Sequence, residues 1–271
     1  MPEALNAQMS KVVIKLGGGL ITQKSSTKTF DASTMSQLAV TIAKISDLGA
    51  SIFLVHGAGS FGHILAKEWS IAGGLRQDIS LEQRNAVRSI RSDMKELNTM
   101  VMETLKKSGL DCEGFAPSEW AKGTGRRFSG DLGILRLPDG SIPVTFGDVV
   151  DVEDGTEFGI LSGDDLMLRI SKEIPSVSHA IFLIGDAPGV MDRPPNFAGA
   201  KLIPEWSPKI QYESEHNSEI DVTGGIGLKL ERAREISEHV EHVWIIDGRR
   251  SDRILELMNS GQTVGTRIFP G

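Results

Sequence analysis

Glycines beside lysines recur in this sequence, and that combination can hold phosphate groups. The first such cluster is KLGGG, residues 15–19, in which Lys15 stands just before three glycines; Lys24 follows five residues later. Glycine lets backbone N–H groups approach an anion closely, and the ammonium groups add positive charge. A tight turn with a surface lysine is the alternative, but the apolar run at 11–16 leads straight into the glycines and favours a phosphate site.

The second cluster is HGAGSFGH, residues 56–63, which also follows an apolar run. Its glycines match the G-x-G-x-x-G fingerprint of dinucleotide-binding folds, but that interpretation needs a strand ending in an acid about twenty residues further on. Asp78 stands at about this distance and follows no strand-like run. His63 falls in the first turn of a predicted helix, where the helix N-terminus and the imidazole can both bind phosphate. We therefore assign His63 to phosphate binding and His56 to packing.

A third cluster, DVTGGIGLK at residues 221–229, combines a glycine-rich helix start with Lys229. Thr223 is a suitable N-cap, and Lys229 would project back about one turn towards the start of the helix. An ordinary capped helix with an exposed lysine explains the same residues equally well, so this cluster alone does not decide between the two.

A fourth cluster, LSGDD at residues 161–165, places two acids at the start of a predicted helix. Asp164 and Asp165 could bind Mg²⁺ or orient the lysines, or they could simply favour the helix N-terminus electrostatically. Gly147 and Asp148, which precede a predicted hairpin, are similarly ambiguous.

Together the clusters predict phosphoryl transfer. Donor and acceptor are both anions in that reaction, and the protein must bring them into line and supply positive charge. An acceptor that is itself a phosphate is ionised near neutral pH and needs no general base. This agrees with the lack of a recognisable base triad in the sequence.

Apolar runs alternate with helical periodicity along the chain, which predicts an α/β fold: a three-layer αβα sandwich with a mainly parallel central sheet. Such sheets bind ligands at the carboxyl ends of their strands, where the first two glycine clusters lie. Strands are predicted at 11–16, 51–55, 112–115, 142–145, 180–184, 242–246 and 264–268, with a hairpin turning at Asp154 and Gly155. Helices are predicted at 32–48 with Asp31 as N-cap, from 61, and at 81–107, 164–172, 226–239 and 252–258.

The composition excludes several classes of protein. The 271 residues include 29 Lys and Arg against 36 Asp and Glu, a net charge of −7, which disfavours nucleic acid and anionic membranes as partners. One cysteine, Cys112, excludes an internal disulfide framework. No run resembles a membrane span, and the first ten residues lack the features of a signal peptide, so we expect a cytoplasmic protein.

The four clusters resemble the motifs of the amino acid kinase superfamily and, within it, those of the isopentenyl phosphate kinases. The resemblance covers essentially all of residues 11–267. Its most discriminating part is GSFGH, which ends in His63, because acetylglutamate and uridylate kinases of the same fold lack this histidine.

The resemblance implies that the protein uses ATP and Mg²⁺ to phosphorylate isopentenyl phosphate, a small-molecule phosphate, to isopentenyl diphosphate, and that it forms a homodimer. It implies a single domain, 1–271, in which residues 11–160 bind the phosphate acceptor and residues 161–271 bind ATP. Alternatives stay open: a kinase of the same fold for another small phosphate or phosphonate such as fosfomycin, a nucleotide-binding sensor without turnover, and a dinucleotide enzyme that uses the loop at residues 57–62.

The resemblance also implies roles for individual residues. Catalysis is assigned to Lys15, Lys24, His63 and Asp164, although Asp165 could take the place of Asp164. ATP binding is assigned to Lys15, Gly17, Gly18, Gly19, Gly59, Asp186, Gly225 and Lys229. Acceptor binding is assigned to Ala58, Gly59, His63 and Gly147, and no side chain is assigned to the metal. Helices between residues 74 and 107 would cover the prenyl tail, although their apolar residues could equally belong to the core.

Overall fold

Strands and helices alternate along the chain in the computed structural model, which describes residues 10–23, 26–209 and 225–271. The strands are β1 (Lys11–Leu16), β2 (Ser51–His56), β3 (Asp111–Phe115), β4 (Ser141–Phe146), β5 (Asp148–Val152), β6 (Glu157–Leu161), β7 (Val177–Ile184), β8 (Glu205–Trp206), β9 (His242–Asp247) and β10 (Thr266–Ile268). The helices are α1 (Gly18–Ile21), α2 (Ala32–Asp47), α3 (Gly59–Glu68), α4 (Ser80–Lys107), α5 (Pro117–Trp120), α6 (Gly163–Glu173), α7 (Gly225–Ser237) and α8 (Asp252–Ser260).

Eight of these strands form one sheet in the order β3-β4-β2-β1-β7-β9-β10-β8. All neighbours from β3 to β9 are parallel, whereas β10 runs antiparallel to β9. The first strand lies between β2 and β7, so the chain builds the sheet outwards from β1 in both directions. A crevice opens at such a reversal of strand order, at the carboxyl end of β1.

The core lies on both faces of the sheet, as the alternation of side chains along β1 illustrates. Val12, Ile14 and Leu16 pack on the face covered by α2, α3, α4 and α8, whereas Val13 packs on the face covered by α6 and α7. All four side chains are fully buried. The predicted three-layer arrangement with a mainly parallel sheet is therefore confirmed.

The predicted helices and strands agree with the structure to within a few residues, and the hairpin β5–β6 turns where predicted. The predictions missed α1, α5 and β8. In α1, the amide of Leu20 donates to the carbonyl of Gly17 at 2.9 Å and that of Thr22 donates to Gly18 at 3.0 Å. Glycine has a low helix propensity, so this turn depends on its tertiary surroundings rather than on its own sequence.

The long helix α4 belongs to the core rather than to the cleft described below. Its apolar face consists of Val87, Ile90, Met94, Leu97 and Val101, which are buried. The ambiguity about these residues is thereby decided in favour of packing. Among the described helices, none is both long and apolar enough to cross a membrane.

The N-cap of α2 offers a test of the local structure. The amide of Thr34 donates to the carboxylate of Asp31 at 2.9 Å, as the sequence predicted. Asp31→Ala should therefore lower the free energy of unfolding by about 1 kcal/mol, measured by urea denaturation. Asp47→Ala, at the other end of the same helix, is the control and should be neutral or slightly stabilising, because an acid is unfavourable at a helix C-terminus. Equal losses in the two variants would contradict this.

Candidate active site

A cleft of about 750 Å³ opens at the carboxyl end of β1, and described residues from all four sequence clusters line it. Its lining includes these residues assigned from the sequence: Lys15, Gly17, Gly18, Gly19, Ala58, His63, Gly147, Asp164, Asp186 and Lys229. Gly59 is buried at the start of α3, and Gly225 begins α7. Lys24 and Thr223 lie outside the described residues.

At the floor of the cleft, Lys15 and Lys229 share one carboxylate. The Nζ of Lys15 lies 2.6 Å from Oδ1 of Asp164, and the Nζ of Lys229 lies 3.1 Å from the same oxygen. Three elements supply these groups: the end of strand β1, the first turn of α6 and the first turns of α7. The acid that contacts the lysines is therefore Asp164, which settles the choice between it and its neighbour.

Glycine makes room for this contact. A Cβ at Gly163 would lie 3.1 Å from Cε of Lys15, closer than ordinary contacts allow. The hydroxyl of Ser162 accepts from the amide of Asp164 at 3.1 Å and caps α6. The motif S-G-D thus follows directly on β6, caps α6 and presents a carboxylate to Lys15 within three residues.

The two glycine loops beside β1 and β2 touch each other through their backbones. A Cβ on Gly18 would lie 2.2 Å from the amide nitrogen of Gly59, and one on Gly57 would lie 2.6 Å from that of Gly18. Neither distance leaves space for a side chain. The first and second clusters are therefore the two sides of one narrow site.

Main-chain hydrogen bonds across the sheet hold these loops in register. Gly57 donates to the carbonyl of Leu16 at 2.9 Å, and Gly17 donates to that of Leu183 at 2.9 Å. Gly147 continues the pattern by donating to His56 at 3.0 Å. The ends of β4, β2, β1 and β7 are thereby fixed relative to one another.

The two histidines of the second cluster differ as predicted. His63 is exposed on α3 and lines the cleft. His56 is fully buried, with ring nitrogens 3.1 Å from the Gly57 carbonyl and 3.2 Å from Oδ1 of Asn98, and it stacks on Phe146. Burial lowers the pKa of His56 to about 4, so it is neutral and its role in packing is confirmed.

The dinucleotide-binding interpretation is wrong. Asp78 lies in a short 3₁₀ turn, Gln77–Ile79, rather than at the end of a strand. Its carboxylate is exposed and pairs with Arg76 at 2.6 Å. Asp78 is therefore not placed where that fold would hold a ribose.

Comparison with known proteins decides the family. A sequence model of the amino acid kinase family matches residues 10–247. The chain belongs to the amino acid kinase family.

Its relatives include several isopentenyl phosphate kinases. That of Thermoplasma acidophilum is 31% identical over 245 residues, covering 90% of this chain and 94% of the relative. The isopentenyl phosphate kinase of Methanothermobacter thermautotrophicus is 29% identical over 265 residues, covering 95% of this chain and 98% of the relative. A solved X-ray structure of isopentenyl phosphate kinase superimposes with a TM-score of 0.80 at 28% identity, covering 95% of this chain and 99% of that one.

In this amino acid kinase the second acid of LSGDD has its own basic partner. Asp165 is buried and accepts from Nε of Arg232 at 2.6 Å. Arg232 also lines the cleft, and its Nη1 lies 3.1 Å from Glu231 and 3.3 Å from Glu235. Sequence reasoning missed Arg232, although its spacing of three residues from Lys229 puts both on one helix face.

Metal-binding clusters are not a feature of the described part of the chain, where no group of three or more His, Cys, Asp or Glu side chains could hold an ion. The two acids nearest the lysines are engaged by basic side chains, as shown above. Their oxygens thus serve to orient cations of the protein itself.

The contacts among Asp164, Lys15 and Lys229, together with burial, set the charge states of Lys15 and Asp164. Burial, only partly offset by Asp164 and reinforced by Lys229, lowers the pKa of Lys15 from 10.5 to about 8. Burial alone would raise the pKa of Asp164, but the two ammonium groups outweigh it and hold that pKa at about 2. Near neutral pH the acid is ionised and Lys15 is mostly protonated.

These charge states can be tested by NMR titration of the Lys15 side chain. Its Cε resonance should titrate near pH 8. Asp164→Asn removes a negative charge that favours the ammonium form, so Lys15 should then titrate at a lower pH. Glu173→Gln, an exposed acid on the same helix that pairs with Arg169, is the control and should leave the Lys15 titration unchanged. An unchanged or raised pKa in Asp164→Asn would contradict the assignment.

Proposed function

We propose that this protein transfers the terminal phosphoryl group of ATP to isopentenyl phosphate, giving isopentenyl diphosphate and ADP. The observation that carries the proposal is the pair Lys15 and Lys229, held by Asp164 at the floor of a cleft whose walls are two touching glycine loops. Kinases that are named for this acceptor match nearly the whole chain, which supports the same reaction.

The donor side is formed by the first glycine loop together with residues 161–271. Gly17 and Gly18 line the cleft and carry no side chains, which suits phosphates that are bound by main-chain amides. In this proposal Gly17, Gly18 and Gly19 wrap the ATP phosphates with help from Gly59. Gly225 and Lys229 hold their outer side, and Asp186 lies near the nucleoside.

The acceptor side is formed within residues 11–160. His63, with the amides around Ala58, Gly59 and Gly147, would bind the phosphate of isopentenyl phosphate. The apolar lining beyond His63 comes from α3, the following turn and the hairpin: Ala66, Ala72, Val149 and Ile160. These residues, rather than α4, would surround the prenyl tail.

Catalysis in this arrangement consists of positioning and charge stabilisation. The bond between the terminal phosphorus of ATP and its bridging oxygen breaks, and a new bond forms to an oxygen of the acceptor phosphate. That oxygen is already ionised, so no side chain has to remove a proton. Lys15 stabilises the negative charge on the phosphoryl group in transit, and Lys24 would assist. Asp164 keeps both described lysines aimed at that group.

Mg²⁺ would be carried by the nucleotide rather than by a protein cage. Asp164 and Asp165 are each occupied by basic side chains, which fits an ion held through phosphate oxygens. When bound, it would neutralise phosphate charge beside the lysines.

We further propose that the protein is a cytoplasmic homodimer, on the basis of its resemblance to the family. Light scattering after gel filtration measures the mass of the assembly.

His63 should be required for acceptor use. His63→Ala should lower kcat/KM for isopentenyl phosphate by about 10- to 100-fold, because a hydrogen bond to a charged phosphate is lost. The measurement is ADP release in a coupled assay. His239→Ala, an exposed histidine remote from the cleft lining, is the control and should behave as the wild type.

The same assay discriminates between acceptors. The wild type should prefer isopentenyl phosphate over fosfomycin and inorganic phosphate. A higher kcat/KM for fosfomycin would replace the proposed acceptor with a phosphonate, and ATP binding without turnover of any acceptor would indicate a sensor.

Lys15 should contribute mainly to kcat rather than to KM. Lys15→Met should lower kcat by about 10²- to 10³-fold with a much smaller effect on KM, because its charge is used chiefly in the transition state. Lys11→Met, four residues earlier on β1, should leave both constants unchanged, since the Lys11 ammonium donates to the carbonyl of Pro175 instead. A rise in KM with unchanged kcat would assign Lys15 to ground-state binding.

A further inference from the structure

Thr22 joins the two glycine loops through a single hydroxyl group. Its Oγ1 donates to the carbonyl of Gly18 at 2.8 Å and accepts from the amide of Ser60 at 3.0 Å. The side chain is buried, with 3% of its surface exposed. The hydroxyl therefore links the turn proposed to hold ATP phosphates to the first turn of the helix that carries His63.

Helix α3 has no cap of its own. Its N-cap residue, Ala58, lacks a side-chain oxygen, so the first amides of the helix need partners from elsewhere. Thr22 supplies one for Ser60 from a different part of the chain. The fit is close, because a Cβ on Gly59 would lie 2.0 Å from Oγ1 of Thr22.

The segment after Thr22 contacts the same residue of α3. The amide of Thr29 donates to the hydroxyl of Ser60 at 3.3 Å, and the amide of Lys28 donates to the Ser60 carbonyl at 3.4 Å. The start of α3 is thus bound along its side by the stretch that extends from the first glycine loop.

We propose that Thr22 is a positioning residue that makes binding of ATP and of the phosphate acceptor mutually reinforcing; this rests on the proposed function. Phosphates bound at residues 17–19 restrict the motion of that turn. Two hydrogen bonds transmit this restriction to α3: the Thr22 hydroxyl donates to the carbonyl of Gly18 and accepts from the amide of Ser60. His63 is then already ordered when the acceptor binds, which raises the affinity for the acceptor. Because binding free energies are reciprocal, bound acceptor must raise the affinity for ATP by the same factor.

Three variants separate this role from a general loss of stability. Thr22→Val keeps the shape and removes the hydroxyl, and Thr22→Ser keeps the hydroxyl. Thr266→Val is the matched control, because the fully buried Thr266 also donates to a carbonyl, that of Ile203, at 2.6 Å and accepts from an amide, that of Val190, at 2.8 Å. Thr266 lies on β10 and does not line the cleft.

The first measurement is the affinity for isopentenyl phosphate by calorimetry, with and without a saturating non-hydrolysable ATP analogue. The analogue should tighten acceptor binding about fivefold or more in the wild type, Thr22→Ser and Thr266→Val, and less than about twofold in Thr22→Val. In a protein that phosphorylates isopentenyl phosphate, wild-type coupling in Thr22→Val, loss of coupling in Thr266→Val, or absence of coupling from the wild type would each overturn the proposal.

The second measurement does not depend on the identity of the acceptor. The ATP analogue alone should slow amide hydrogen exchange in a peptide covering residues 58–68 in the wild type, Thr22→Ser and Thr266→Val, but not in Thr22→Val. Equal protection in all four proteins would refute the role of Thr22. If the wild type does not phosphorylate isopentenyl phosphate, the proposed function fails, and this exchange experiment still decides about Thr22.

Discussion

Two ammonium groups held by a single buried carboxylate determine what the cleft can do. Asp164 can balance only one of the two charges of Lys15 and Lys229, so this trio carries an excess positive charge in a place poorly reached by water. Burying uncompensated charge is unfavourable, and a phosphate arriving between the lysines relieves it. The lowered pKa of Lys15 reflects this unfavourable burial of charge in the protein without ligand.

The fold meets this requirement because β1 occupies the centre of the sheet. Strand β1 supplies Lys15, α6 enters from one face with Asp164, and α7 adds Lys229 beside it. Each approach depends on glycine at the point of contact: Gly163 admits the lysine stem, and Gly18 admits the neighbouring loop. At these two positions glycine allows a closer approach than any side chain would permit.

Features that depend on local sequence pattern could be predicted from the sequence alone. The cap at Asp31, the strands around the sheet and the convergence of Lys15, His63 and Asp164 follow from periodicity and from the rule that strand ends meet at one edge. Arg232 was missed because its partner Asp165 is remote in sequence, and only packing of α6 against α7 brings them together. The helical turn α1 was missed for a similar reason, since its glycines are poor helix formers that are held by a neighbouring loop.

Side-chain charge alone does not explain how two anions bind in this cleft. Its lining, within the described residues, contains three lysine and arginine side chains (Lys15, Lys229 and Arg232) and one histidine (His63) against four acids (Asp148, Asp164, Asp165 and Asp186). Most of the neutralisation must then come from backbone amides and from a cation brought with the nucleotide. Amides act only at short range and in fixed directions, so their effect depends on loops that do not move apart. Contacts that join the two loops, rather than further lysines, are what such a site requires.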